Sequence, residues 1–208
     1  MIGSRTPLPA DRANAETTAP RSSVAESGLW RPPLLLGLVW GFAEATLFFI
    51  IPDVIIAWAA LSSWRSGLRM LLAALVGALA GGLVLYGAAT ARPGAVLAAV
   101  ESVPFIHPAM IDKVADRYRD LGASAILRAP GNGIPYKVYA ALAPPVTGPG
   151  SFALLSIPAR LERFLPAWLI FTAVGRGLRR TMAAHPRQTA LVFAAVWAIG
   201  YTVYWSLI

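Results

Sequence analysis

Residues 41–61 read GFAEATLFFIIPDVIIAWAAL, and residues 122–143 read GASAILRAPGNGIPYKVYAALA. Each hydrophobic stretch is interrupted by an Ile-Pro pair and carries two charges nine residues apart: Glu44 and Asp53 in the first, Arg128 and Lys137 in the second. A charge at the centre of a membrane-spanning helix costs about 2.5–3.5 kcal/mol on insertion scales, so four such charges call for a functional explanation. Paired interrupted segments in two halves of a chain are typical of a translocation site in a membrane.

The composition of the 208-residue chain predicts an integral membrane protein. Hydrophobic residues make up 57% of the chain and charged residues 13%, whereas soluble proteins contain about 25% charged residues. The chain therefore lacks the polar side chains that would cover a soluble domain of this size. The net charge of +8 comes from basic residues that flank apolar segments, which indicates membrane topology and contact with anionic lipids rather than binding of nucleic acid.

The predicted fold is an all-α helical bundle with two inverted re-entrant hairpins broken at Ile-Pro, together with transmembrane helices. A polar tail at 1–28 is predicted to be disordered, because it is rich in Ala, Pro, Ser and Thr and shows no apolar period. A membrane domain is expected to follow at 29–180. It contains hairpins at about 34–62 and 122–146, spans at about 68–90 and 152–174, and an amphipathic helix at about 108–121. A C-terminal transmembrane helix is predicted at 188–208.

The nine-residue spacing makes a geometric prediction about the charges. Residues nine apart on a straight helix lie on opposite faces, so the two charges of each pair can approach one another only if the chain reverses between them. Proline lacks the N–H that would continue a helix and clashes with the preceding turn. The residues expected to break the hairpins are Pro52 in the first, and Pro130, Gly131, Gly133 and Pro135 in the second.

The charge types predict distinct roles for the two hairpins. Glu44 and Asp53 are candidates for translocation or proton coupling, because two close carboxylates raise the proton affinity of at least one of them. Arg128 and Lys137 are candidates for binding a lipid phosphate, with arginine giving bidentate contact and lysine a point charge. The alternative interpretation is a purely structural network of ion pairs that locks the hairpins together.

A third charged group lies in the run SIPARLERF, where Arg160 and Arg163 are three residues apart and share one helical face. They are candidates for binding a lipid headgroup or the carboxylates of the first hairpin. They equally fit the cytoplasmic flank of a span. No metal or other cofactor is predicted, because the chain has no cysteine and neither His107 nor His185 has partners at ligand spacing.

The chain resembles the DedA family, the bacterial branch of the VTT-domain (SNARE-associated) superfamily, and within it the shorter YqaA-like branch. The resemblance covers about 34–180 and rests on GFAEATLFFIIPD, RAPGNGIPYKVYAALA and SIPARLERF. It implies two re-entrant hairpins of opposite orientation and movement of lipids such as undecaprenyl phosphate or phospholipids. It also places the family's essential acidic pair on Glu44 and Asp53 and its essential arginine on Arg128.

The leading functional hypothesis is a lipid translocase, a flippase or scramblase for an anionic lipid, and not an enzyme. The expected partners are anionic membrane lipids, with protons possible, and the expected location is the bacterial cytoplasmic membrane, which the chain would cross several times. Two alternatives stay open: a proton- or cation-coupled transporter of small solutes, and a non-catalytic organiser of membrane proteins. A lipid phosphatase is disfavoured, because neither histidine lies in a motif that suits an acid or base.

Overall fold

The computed structural model describes residues 31–129 and 133–206, and in these ranges the chain is helical and contains no strand. A 3-10 helix, Gly122–Arg128, precedes the sixth of the nine α-helices found in these ranges. The α-helices are α1 Leu34–Thr46, α2 Asp53–Ser62, α3 Trp64–Ala91, α4 Pro93–Glu101, α5 Pro108–Leu121, α6 Tyr136–Leu142, α7 Pro149–Gly177, α8 Arg179–Ala184 and α9 Pro186–Ser206. The predicted tail at 1–28, the breakers Pro130 and Gly131, and the end of the last predicted span at 207–208 lie outside the described residues.

The first predicted hairpin is two helices separated by residues 47–52, called here the first break. Helix α1 ends before the break, where the N–H of Phe48 donates to the carbonyl of Ala43 at 2.8 Å. Pro52 precedes α2, and its carbonyl accepts the N–H groups of Ile55 and Ile56, each at 3.1 Å. Proline suits this position because its missing N–H falls where a helix start has no acceptor for it.

Helix α3 is packed very closely against α1 through glycines on both helices. A Cβ at Gly77 would overlap the carbonyl oxygen of Leu38, and one at Gly41 would overlap that of Ala74. Two parallel rows of such contacts, from Gly37 beside Met70 onward, show that α1 and α3 run in the same direction. The small side chains therefore bring the two backbones together, as small residues do at helix interfaces in membranes.

Helix α2 returns along α3 in the opposite direction. Near its end Ala60 packs on Gly67, close to the first turn of α3, and Gly37 near the start of α1 also lies beside the first turns of α3. The start of α1 and the end of α2 therefore lie at the same end of α3, so the chain reverses in the first break. Buried side chains of α2, α3 and α7 fill the core at this end, among them Ile56, Leu71 and Phe164.

The second predicted hairpin consists of the 3-10 helix, residues 129–135 (the second break) and the short helix α6. Gly133 has a φ of +74°, a left-handed conformation that favours glycine. Tyr136 at the start of α6 lies against Gly82, and the far end of the hairpin meets α3 where the hydroxyl of Tyr86 donates to the carbonyl of Thr147 at 2.6 Å. The start of α6 therefore lies beside Gly82, and the segment after α6 lies nearer the C-terminal end of α3.

Helix α7 runs antiparallel to α3, since Phe152 packs on Tyr86 while Trp168 lies beside Gly67. It contains Pro158 and Pro166 and remains one helix of 29 residues. The predicted span at 152–174 lies inside it. The backbone of the last helix, α9, lies close to that of α8. Helix α9 contacts α2 and α7 through aromatic rings: Phe193 contacts Trp58 and Phe171, with ring centroids 5.0 and 5.9 Å apart.

Helix α5 covers the residues of the predicted amphipathic helix, and its buried side chains are Val114 and Tyr118. Leu121 at its end is exposed. The hydroxyl of Tyr118 donates to the carbonyl of Tyr139 at 2.9 Å, which ties α5 to α6. Burial raises the pKa of this hydroxyl above its ordinary value, so Tyr118 stays neutral and remains a donor.

By length and composition, one described helix, α3, is able to cross a membrane, and α1 and α2 are shorter apolar helices. Large apolar side chains are exposed along four helices. They include Leu35 on α1, Val76 on α3, Leu154 on α7 and Leu191 on α9, which are 68%, 56%, 69% and 71% exposed. Apolar surface that extends over several elements marks a surface that binds protein or membrane.

Candidate functional site

A cavity of about 510 Å³ lies where the two breaks meet. Both breaks, the α4–α5 connection, α7 and α9 contribute to its wall. The described residues that line it are Glu44, Phe49, Ile51, Asp53, Val103, Pro104, Ala129, Gly133, Ile134, Pro135, Lys137, Arg163, Trp197, Gly200 and Tyr201. Both predicted carboxylates are therefore in the cavity, as are Lys137 of the predicted cations and the breakers Gly133 and Pro135. Pro52 is buried beside the cavity, at the start of α2.

Glu44 on α1 forms an ion pair with Arg160 on α7, and each side chain is 3% exposed. The guanidinium of Arg160 also lies over the rings of Tyr136 and Phe164, 4.6 and 5.0 Å from their centroids. Arg160 is not among the residues that line the cavity. Enclosed by two aromatic rings and paired with a carboxylate, its charge is compensated within the protein.

Asp53, at the start of α2, forms the second ion pair, in which the Nε of Arg163 lies 3.0 Å from Oδ2. This pair differs from the first because both partners line the cavity and the side chain of Arg163 is 30% exposed. The other carboxylate oxygen of Asp53, Oδ1, is buried and has no hydrogen-bond partner in the described part of the chain. A buried acceptor without a donor costs about 1–3 kcal/mol, so this oxygen is available to a donor that enters the cavity.

Lys137 joins α6 to the first break. Its side chain is buried at 2% exposure, and its Nζ donates to the carbonyl oxygen of Phe48 in the first break at 2.9 Å. The ammonium therefore contacts a backbone dipole rather than the carboxylates. The cluster as a whole contains two carboxylates and three cations, so it carries an excess of positive charge.

Side chains from three helices satisfy the backbone of the first break. Trp40 of α1 donates its Nε1–H to the carbonyl of Ile50 at 3.0 Å, and Lys137 of α6 donates to that of Phe48. The hydroxyl of Tyr201 on α9 accepts the N–H of Ile51 at 3.0 Å. Irregular backbone in an apolar environment persists only where such partners exist. These three side chains therefore stabilise the conformation of the first break.

Arg128 is placed differently from the other predicted cations. It ends the 3-10 helix, its side chain is exposed, and it is not one of the described residues that line the cavity. The positions that the sequence assigned to lipid phosphate therefore fall into three environments. Lys137 and Arg163 line the cavity, Arg160 is sealed behind it, and Arg128 lies on the surface.

No protein-family model matches the chain, and no curated protein or solved structure matches it. Within the described residues, no group of three or more His, Asp or Glu side chains is placed to hold a metal ion.

Trp197 and Tyr201 line the cavity, although neither is among the site residues predicted from the sequence. A signal for them exists, because Phe193, Trp197 and Tyr201 are spaced four residues apart and so lie on one face of a helix. Tyr136 was also missed, and the structure places its ring on Arg160 and its hydroxyl 2.8 Å from the Oγ of Ser156. Taken together, the site is a partly open chamber whose wall carries two carboxylates, two cations and hydrogen-bonding groups. Because each carboxylate is paired with an arginine, the positive charge of Lys137 is left over, which suits an anionic group.

Proposed function

We propose that this chain is an integral membrane protein that moves an anionic lipid across the bilayer, with the headgroup passing through the cavity while the acyl chains stay in the lipid. The observation that carries the proposal is the chamber between the two breaks, where Lys137 and Arg163 line the wall. Membership of the DedA family, suggested by the sequence resemblance, is part of this proposal.

The lengths of the helices support two re-entrant hairpins. Helix α3, with 28 residues, is about 42 Å long at 1.5 Å per residue and exceeds the roughly 30 Å hydrocarbon core of a bilayer. Helices α1 and α2, with 13 and 10 residues, are about 20 and 15 Å long and are too short to span it. Because α1 begins and α2 ends beside the first turns of α3, the first hairpin would enter and leave on one side.

The cavity supports an anionic headgroup as the cargo. Arg163 is able to exchange Asp53 for a phosphate oxygen, because both partners line the cavity and the arginine side chain is partly exposed. In the Glu44–Arg160 pair only the glutamate lines the cavity, and this pair would hold α1 against α7 throughout. A volume of about 510 Å³ accommodates a headgroup, and pockets of about 300–1,000 Å³ are usual for small ligands.

A second candidate is a coupled transporter of small anionic solutes, and one observation favours it: α9 covers part of the chamber with Trp197, Gly200 and Tyr201. A covered chamber suits a cargo that enters whole. The two functions differ in their cargo. Lipid movement depends on the headgroup, whereas solute transport would proceed in vesicles whose lipid headgroups are varied.

The central experiment measures movement of fluorescent phosphatidylglycerol across vesicles that contain the wild-type protein, Arg163→Gln or Arg176→Gln. Arg176 is the matched control because it is an exposed arginine on the same helix. We expect Arg163→Gln to lower the rate at least about tenfold, the effect of losing one charge-assisted contact of about 1.5–3 kcal/mol, and Arg176→Gln to change it little. Equal rates in all three proteins would reject the proposed site.

The membrane topology has a separate test, made simple by the absence of cysteine from the chain. Single cysteines at Leu34, Arg65 and Arg92 mark the start of α1 and the two ends of α3. With an impermeant thiol reagent, we expect Leu34→Cys and Arg65→Cys to react from one side of the membrane and Arg92→Cys from the other. Labelling of Leu34→Cys and Arg65→Cys from opposite sides would show that the first hairpin spans the bilayer.

A further inference from the structure

Helix α9 differs from the other long helices in how it is attached. Close backbone contacts fix α1 to α3, whereas α9 meets α7 through side chains. The ring of Trp197 is stacked on that of Phe171, 6.2 Å away with an interplanar angle of 15°. Flat aromatic contacts of this kind slide and reform more easily than backbones packed at glycines, because no backbone is interlocked.

The same helix closes part of the cavity and is hydrogen-bonded to the first break. Trp197, Gly200 and Tyr201 face the chamber, and the hydroxyl of Tyr201 accepts the N–H of Ile51 in the first break. Ile51 is itself a lining residue. Release of this hydrogen bond would free α9 from the break and widen the chamber.

Trp197 offers a donor that the protein itself does not use. Its Nε1 is buried and has no hydrogen-bond partner in the described part of the chain. Trp197 and Arg163 line the same chamber. Buried indole N–H groups normally donate to an acceptor. An acceptor oxygen within the chamber would therefore satisfy the indole N–H of Trp197.

We propose that α9 is a lid on the cavity, latched to the first break by Tyr201, and that Trp197 donates its indole N–H to a phosphate-ester oxygen held by Arg163. The lid itself goes beyond the proposed function, since it concerns access to the chamber whatever enters it. The ligand contact rests on the proposed function. Ligand binding and lid closure are coupled in this arrangement, because Trp197, which binds the ligand, and Tyr201, which latches the lid, are one helical turn apart on α9.

The latch is tested by thiol labelling of detergent-solubilised protein that carries Val103→Cys, a buried position on the cavity wall. Ser102→Cys is exposed next to it and reports the intrinsic reactivity. We expect Tyr201→Phe to raise the labelling rate at Val103→Cys about fivefold, the change that losing one hydrogen bond of about 1 kcal/mol produces in an opening equilibrium.

Tyr86→Phe is the matched control, because its hydroxyl also bonds to the backbone and Tyr86 does not line the chamber. It should leave the rate unchanged. An unchanged rate in Tyr201→Phe, or an equal rise in both variants, would overturn the latch. This assay involves no transport, so its failure is separate from failure of the translocation experiment.

The ligand contact is tested by adding phosphatidylglycerol, phosphatidylcholine or inorganic phosphate to the same assay. We expect phosphatidylglycerol to slow labelling of Val103→Cys, and the protection to be lost in Trp197→Phe, which keeps a ring against Phe171. Trp168→Phe is the control, since its indole N–H already bonds to the carbonyl of Trp64 at 3.0 Å. Protection by inorganic phosphate alone would assign the contact to a free anion rather than a lipid. Absence of protection by every probe, or protection that survives Trp197→Phe, would overturn it.

Discussion

Glu44 and Arg160 form a buried ion pair between α1 and α7, although 116 residues separate them in the chain. This contact joins the acidic half of the molecule to a helix of the basic half. Because both charges are removed from solvent, each depends on the other for compensation. The pair is thus a structural element, and its cavity-facing neighbours, Asp53 and Arg163, are the ones free to act.

We expect the contributions of Glu44 and Arg160 to stability to be strongly coupled. Glu44→Ala and Arg160→Ala should each lower the free energy of unfolding by about 3–5 kcal/mol, because each leaves an uncompensated buried charge. The double variant Glu44→Leu/Arg160→Met should lose much less than the sum, since it leaves no charge behind. Arg119→Ala removes the exposed Asp116–Arg119 pair and should change stability by less than about 1 kcal/mol. Additive losses in denaturant titrations of the detergent-solubilised proteins would contradict this account.

The contact between α1 and α3 predicts opposite outcomes for two glycines of one helix. Gly77→Ala should destabilise the protein by about 1–3 kcal/mol, because the new methyl group overlaps the carbonyl of Leu38. Gly87→Ala meets open space and should stabilise α3 by about 0.5–1 kcal/mol through helix propensity. Thermal melts of the two variants provide the measurement, and a neutral Gly77→Ala would show that the helices separate easily.

We expect replacement of Lys137 to lower activity much more than stability. Lys137→Met keeps the length of the side chain and removes a buried charge, but it also removes the donor to the carbonyl of Phe48, so the protein should stay folded with a melting temperature somewhat below that of wild type. Lipid movement should fall at least about tenfold, because an excess positive charge leaves the chamber. The other lysine, Lys113, is exposed on α5, and Lys113→Met should retain activity. Loss of folding in Lys137→Met alone would assign Lys137 a structural role.

The sequence resemblance and the geometry of the site predict different roles for Arg128. The resemblance assigns the essential arginine to this position, whereas the structure places its side chain on the surface and Arg163 in the chamber. From the geometry we expect Arg128→Ala to slow lipid movement less than Arg163→Gln does. Both variants should be compared at equal protein density in the vesicles. A greater loss in Arg128→Ala would move the phosphate contact out of the chamber.

Much of the fold could be predicted from local sequence. The breaks follow from the prolines and from Gly133, and the close contact of α3 follows from its small residues, because these features act through backbone geometry alone. The convergence of Glu44 and Asp53 on one cavity followed from their spacing around Pro52. Such features depend on a few neighbouring residues and leave a direct signature.

The partners of the carboxylates could not be chosen from sequence. Arg128, Lys137, Arg160 and Arg163 all fitted the same charge argument, and only the packing of α7 against α1 and α2 selects Arg160 and Arg163. That packing is long-range and depends on how the whole bundle assembles. The position of α9 over the cavity is long-range in the same sense, because the spacing of its aromatic residues does not indicate what they face.

The glycine contact between α1 and α3 determines which parts of the molecule are able to move. Two helices whose backbones interlock cannot slide past one another easily. Helices α1 and α3 therefore form one rigid unit, and Glu44 is part of it. Motion is left to the second break and to α9, neither of which is interlocked with α3 over a comparable length. A working cycle would then be asymmetric: one wall of the chamber stays still while the opposite wall opens, and cargo enters past the moving side.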